Sequence, residues 1–237
     1  MPVSGPVTRS TLRQQIADAL RDEVLAGRLQ PGREFTVKQI ADQYGVSATP
    51  VREALVDLSA QGLLDSDQHR GFRVHRFTVD DYRAMVEARS LVVDGVLRRH
   101  MEGGAGWGRV PDEVLVSVRR RAEAAARAAR AGDLDVLIGY DVRFWRELSG
   151  FVANRCIADF LHRLHIQAWV FAVPYLRGDR RSRDRLWCGY EELAEAVAAG
   201  PARRVAAVLD AYYAHSLSWA DHLEQLPVPR GAPEHPA

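Results

Sequence analysis

The sequence predicts a mainly α protein, with an N-terminal winged helix-turn-helix ahead of a C-terminal all-α helical bundle. Three observations carry this prediction. Ile40-Ala41-Asp42-Gln43-Tyr44 and Val51-Arg52-Glu53-Ala54-Leu55 read as two short helices broken at Gly45, a residue that enters left-handed backbone cheaply. Stretches 63–66 and 72–76 then flank the polar tip Asp67-Gln68-His69-Arg70-Gly71, the pattern of a hairpin. Beyond Phe77 the apolar residues recur at helical spacing almost to the end of the chain. The expected division is a winged helix-turn-helix over 1–76, a helical domain over 77–226, and a tail over 227–237 whose four prolines mark it as disordered.

At 237 residues and 47% hydrophobic composition, the chain is long enough for two ordinary cores. A formal charge of +1 selects no partner. Residues 1–76 hold 10 Lys+Arg against 9 Asp+Glu, so affinity for any polyanion must come from clustered charge and fall steeply with salt. Cys156 and Cys188 stand in no metal-ligand or redox spacing, as in a reduced cytoplasmic protein. No signal segment opens the chain, and no apolar run approaches the ~18–20 residues that span a bilayer, so the expectation is a cytoplasmic protein without a membrane partner. No repeat of 20–50 residues is evident.

In chain order, residues 1–7 are expected to be loose. Leu12, Ile16, Leu20 and Val24 then step by four along an amphipathic helix that ends at Gly27. Thr36 and Gln39 have capping-box spacing for the next helix. Ser47 is placed to cap the second helix of the motif, which tolerates Pro50 because first-turn amides have no intrahelical partner. Thr78 and Asp81 cap a long helix with Met85, Ala88, Leu91, Val92, Gly95 and Val96 on its apolar side, and 103–108 follows as a loop. An alanine- and arginine-rich helix spans 112–131 and stops at Gly132. Asp133 caps the next, which carries Leu137, Tyr140, Phe144 and Leu148. Asn154 begins a helix running to about Val173-Pro174, with Ile157, Leu161, Leu164 and Ala168 on one face. A charged loop at 177–183 leads to two last helices, 183–199 and 201–224.

At the start of its second helix the motif exposes Ser47, Ala48, Thr49 and Arg52. Small hydroxyls and a forked guanidinium at a positive helix end suit phosphates and base edges. Around it stand Leu29-Gln30-Pro31-Gly32, Ala60-Gln61-Gly62-Leu63-Leu64 and Arg70-Gly71-Phe72-Arg73-Val74. Together these stretches resemble the winged-helix reader of the GntR transcription factors over roughly residues 8–76. The resemblance implies double-stranded DNA as partner. Ser47, Thr49 and Arg52 would read it, Lys38 (the only lysine) would grip the backbone, and Arg70 with Gly71 at the wing tip would enter a minor groove. The family usually has arginine where this chain has Ala48, which implies a different operator sequence.

The helices behind it, with Glu87-Ala88-Arg89, Asp141-Val142-Arg143-Phe144 and Asn154, resemble the FCD effector domain of the FadR-type branch over about 78–224. In many members one aspartate and three histidines hold a divalent metal. The resemblance puts the aspartate on Asp141 and the histidine positions on Trp145, Tyr190 and Tyr212. Indole cannot ligate a metal, and a phenol of pKa near ~10 is a poor ligand, so no metal cofactor is expected. His162, His165 and His215 are the histidines that could rebuild a site. The aromatic replacements line an organic-ligand pocket or simply fill the space of the metal. Arg89 and Arg143 are candidate partners for a carboxylate effector.

The function expected is a regulator that binds a palindromic operator as a homodimer and represses until a small metabolite is bound by Arg89, Asp141, Trp145, Tyr190 and Tyr212. An architectural DNA-binding dimer that senses nothing is the alternative. An enzyme acting on the bundle ligand is the third reading, and the chain shows no nucleophile-base-orienter set or phosphate loop to support it.

Overall fold

The computed structural model describes residues 11–67, 71–102, 110–178 and 180–225. They belong to two compact units, Met1–Arg76 and Phe77–Ala237. Residues 1–7, wing-tip residues 68–70 with Arg70 among them, the 103–108 loop and the 227–237 tail lie outside the described residues.

The first unit runs α1 (Leu12–Leu25), β1 (Glu34–Phe35), α2 (Val37–Tyr44), α3 (Ala48–Ala60), β2 (Leu64–Asp67) and β3 (Gly71–Val74). Thr11 caps α1. The helix buries Ile16, Leu20 and Val24, and it packs along α3, which buries Val51, Leu55 and Leu58. Leu12, expected on the same face, is exposed at the first turn. Thr36 and Gln39 form the capping box at α2, with bonds of 3.2 and 2.8 Å. Gly45 then takes φ +66°, the left-handed backbone that ends α2 and turns the chain into α3. Ser47 occupies the N-cap position of α3, but its hydroxyl makes no capping bond.

The hairpin is joined by β1, a strand not anticipated from sequence, in the order β1-β3-β2. Phe35 stands opposite Phe72, and Leu64 opposite Val74. Two residues are too few for alternation to show, so only their pairing with β3 reveals β1. Gly71 opens β3 at φ +96°, and a Cβ there would lie 2.7 Å from the Phe35 carbonyl oxygen.

The second unit comprises α4 (Val79–Glu102), α5 (Asp112–Ala131), α6 (Leu134–Val152), α7 (Arg155–Gly178), α8 (Tyr190–Ala199) and α9 (Ala202–Glu224), with a 3-10 segment Arg180–Arg185 before α8. The Thr78–Asp81 box precedes α4, and Asp133 and Asn154 cap α6 and α7. α5 buries Ala122, Ala125, Ala126 and Ala129, one helical stripe of minimal side chains, which lets α6 and α8 pack closely against it. Three expectations need correction. The inner face of α4 is Tyr82, Met85, Val86, Arg89 and Leu97, whereas Leu91 is 62% exposed. A charged residue takes a core position there, and an apolar pattern skips it. α7 continues through Pro174 to Gly178, where burial of Leu176 beyond the proline offsets the loss of one backbone donor. α8 begins at Tyr190 rather than near 183, after the 3-10 segment.

Substituting Gly71→Val is expected to destabilise the first unit by ~1–3 kcal/mol, through positive-φ strain and the clash with Phe35. Urea unfolding of the variant against the parent checks this; equal midpoints would contradict it.

Candidate functional site

Two regions carry chemistry. In the first unit, the start of α3 presents Ser47, Ala48, Thr49 and Arg52, and the first turn of α2 presents Lys38, all exposed. Lys38 and Arg52 make no ion pair with any described residue. Other arginines of this unit are engaged internally: Arg13 with Asp57, Arg21 with Asp18, Arg28 with Glu23, and Arg73 with Asp65. A nearly neutral unit therefore keeps Lys38 on α2 and Arg52 on α3 outside its internal ion pairs. Gly71 is held by the sheet geometry described above, so its presence has a structural cause. At the wing, Asp65 also accepts from His75 Nδ1 at 2.7 Å, which ties β2 to the end of β3.

In the second unit the centre is Asp141 on α6, 2% exposed. Its Oδ1 accepts from Trp145 Nε1 at 3.0 Å and from the Tyr190 hydroxyl at 2.8 Å. Its Oδ2 accepts from Trp169 Nε1 and from His165 Nε2, both at 2.5 Å. A carboxylate offers about four lone-pair sites. All four are filled by donors from α6, α7 and α8. Burial pushes the Asp141 carboxyl up, but neighbouring His165 and the Trp169 and Tyr190 donors outweigh it and hold the group below the ordinary aspartate range. Burial likewise drives His165 down, with Arg89 adding to that effect against the pull of Asp141, so the imidazole is neutral and donates through Nε2. Its Nδ1 is buried without a hydrogen-bond partner. Tyr190, raised by burial and by Asp141, stays a phenol donor.

Arg89 on α4 is 5% exposed. Its Nη1 donates to the Tyr212 hydroxyl at 3.1 Å, and its guanidinium carbon lies 5.6 Å from the Trp145 ring centre and 5.3 Å from that of Tyr212. No carboxylate of the described residues pairs with it. A cavity of about 90 Å³ opens among Arg89, Asp141, His165, Trp187, Tyr190 and Tyr212. Trp187 reaches it from the segment before α8, which is held by His215 Nε2 on the Arg185 carbonyl at 2.8 Å and by Arg183 Nε on that of Leu176 at 3.1 Å.

The structure thus brings together Arg89, Asp141, Trp145, Tyr190 and Tyr212, the five candidates named from sequence, and leaves Arg143 exposed outside the cavity. The metal-holding arrangement of the FCD resemblance does not fit these residues. Both Asp141 oxygens are filled by hydrogen-bond donors, one imidazole reaches it, and His215 is turned to a backbone carbonyl. Among the described residues no group of three His, Cys, Asp or Glu side chains could hold a metal ion, and no helix is long and apolar enough to cross a membrane. Sequence reasoning missed Trp169 and Trp187. Trp169 follows His165 by one helical turn, a spacing that places both on one face and could have flagged it; Trp187 lies in an irregular segment with no periodic signal.

Comparison with known proteins agrees with both regions. Residues 12–74 match the model of bacterial regulatory proteins of the gntR family, and residues 95–215 match the FCD domain. A probable D-xylose utilization operon transcriptional repressor of Paenarthrobacter nicotinovorans is 32% identical over 164 residues, covering 69% of this chain and 70% of that protein. The uncharacterized HTH-type transcriptional regulator YdhC of Bacillus subtilis is 25% identical over 173 residues, 71% of this chain and 73% of its own. Among solved structures, Escherichia coli McbR/YncC aligns at a TM-score of 0.71 and 19% identity, covering 91% of this chain and 100% of the other; this likeness is one of fold.

Replacing Asp141 with Leu is expected to cost ~3–5 kcal/mol, because it strands four buried donors; urea unfolding checks it, and a loss under 1 kcal/mol would refute the network's role. His165, with its folded pKa depressed, contributes stability that is present above its unfolded value of about 6.5 and declines as pH falls from there toward the folded value. Unfolding midpoints measured from pH 7.5 to 5 should therefore drop in the parent. The drop should be shallower in His165→Gln; an identical slope would remove His165 as its cause.

Proposed function

Because the chain belongs to the GntR family of transcriptional regulators, with an FCD domain as its helical part, we propose that it is a repressor that binds a palindromic operator as a homodimer and is released by a small organic carboxylate. In this family the N-terminal unit binds DNA, and FCD domains bind small-molecule effectors. Repression is supported by the name of the Paenarthrobacter relative, a probable repressor, and by the simplicity of a steric block, which needs no contact with polymerase.

The observation that carries the DNA half is the exposed start of α3 with Arg52 outside any ion pair of the described residues, and Lys38 likewise on α2. Arg52, Ser47 and Thr49 would meet bases or phosphates in the major groove, and Lys38 would hold the backbone. Arg70 and Gly71 are assigned to the wing contact on the resemblance alone. Two copies related by a two-fold axis would set two such helices in successive major grooves. The sensing half rests on Arg89, a buried cation without an acidic partner beside a cavity. A carboxylate there would complete it, with Trp145, Tyr190 and Tyr212 enclosing the ligand and Asp141 fixing the walls. The effector acts by binding more tightly to dimers whose reading helices do not span both half-sites.

Operator duplex selected from a random pool provides the test. Arg52→Ala should weaken binding to it by ~1–3 kcal/mol and leave the unfolding midpoint unchanged. Fluorescence anisotropy reads this directly, and an unaltered binding curve would take Arg52 out of the interface. Screening carboxylic acids for release of the duplex tests the other half: if none releases it, the architectural dimer becomes the better description.

A further inference from the structure

The bundle holds a second cavity beside the first. It measures about 50 Å³, and its walls are largely aliphatic, with Val93, Val96, Leu97, Leu161, Val205 and Leu209 among them. Arg89 and His165 line both cavities. Trp145 lines the second, and its ring lies against Tyr212 and Trp187 of the first, with centroids 5.0 and 6.1 Å apart. Arg89, His165 and Trp145 are therefore a partition between a polar compartment and an apolar one.

Two members of that partition lack what burial ordinarily demands. Arg89 carries five N–H donors, and its one hydrogen bond among the described residues is that to the Tyr212 hydroxyl at 3.1 Å. His165 Nδ1, an acceptor in the neutral ring, has no partner. The unfilled donors of Arg89 point to an anionic occupant that accepts from them, a contact in which the His165 acceptor takes no part. The compartment on the far side of Arg89 offers that occupant apolar walls.

We propose that the apolar cavity is a tail subsite, and that the effector is a monocarboxylic acid with a short hydrocarbon tail. This rests on the effector reading above and specifies its chemistry. The carboxylate pairs with the fork of Arg89, which lines both compartments, and the tail lies in the aliphatic one. A single negative charge is favoured because Asp141, ionised in the same polar cavity, repels a second. A water-sized site occupies ~10–15 Å³, so the apolar cavity takes roughly three to five tail atoms. An acid of about six carbons fits.

The experiment is thermal unfolding of the full chain with acetate, butanoate, hexanoate and decanoate, and with hexan-1-ol, each titrated to obtain a dissociation constant. Affinity should rise about fourfold per methylene through hexanoate, as expected for a CH₂ leaving water, and rise no further at decanoate. Hexan-1-ol should give no shift. Val96→Phe, which fills the apolar cavity from α4, should flatten the series to the butanoate level; Val93→Phe, one turn away, should do the same if the first variant does not fold. Equal affinity for acetate and hexanoate would overturn the tail subsite while leaving a carboxylate effector in place. Hexan-1-ol binding as well as hexanoate would overturn the Arg89 anchor. If no acid shifts the midpoint, the proposal falls; duplex release by a ligand of another class would then keep the sensing function, and the absence of any release would remove both.

Discussion

The carboxylate of Asp141 sits where α6, α7 and α8 meet, and the arrangement of the helical unit follows from satisfying it. A buried anion is tolerable only with its lone pairs filled. Trp145 supplies one donor from the same helix, His165 and Trp169 supply two from α7, and Tyr190 supplies one from the first residue of α8. Each bond fixes a large aromatic or imidazole side chain in one orientation, and those orientations form the cavity walls. Trp145 cannot swing away without giving up Asp141, and Tyr190 sets where α8 begins. The same constraint leaves the residues here a poor fit for a metal-holding set, since both carboxylate oxygens accept from side-chain donors.

Arg89 is the counterpart to this saturated group. Its charge is softened by two aromatic faces and one phenol oxygen, and no acid among the described residues neutralises it. A saturated anion and an unsaturated cation in one cavity divide the labour physically. The first rigidifies the walls, and the second is left with unspent affinity for an anion. The first unit follows a similar logic at its surface, where intramolecular ion pairs engage arginines away from the reading helix and leave Lys38 and Arg52 to the solvent. Net charge near zero is therefore compatible with binding a polyanion, because affinity depends on which cations remain unpaired and where they stand.

Much of the fold was legible in the residues. Capping pairs such as Thr36–Gln39 and Thr78–Asp81, and the stops at Gly45 and Gly132, act within one turn of backbone, so their signals sit close together in sequence. The failures lie where a neighbour distant in sequence outweighs local preference. β1 exists because β3 pairs with it. α7 passes Pro174 and buries Leu176 beyond it. The face of α4 is turned by Arg89, whose burial depends on Tyr212, 123 residues away.

The sequence by itself determined the class of protein and the helix-turn-helix, because these depend on residue type and short spacing, and the FCD resemblance put Trp145, Tyr190 and Tyr212 where many members carry metal-binding histidines. Only the tertiary structure decided what the replacements do. Whether Trp145, Tyr190 and Tyr212 fill a void or line one depends on the packing of four helices. That His165 and Trp169 turn toward Asp141, and that no carboxylate reaches Arg89, are likewise results of that packing. Hydrogen-bond saturation is a property of atoms brought together from distant turns, and one-dimensional spacing does not encode it.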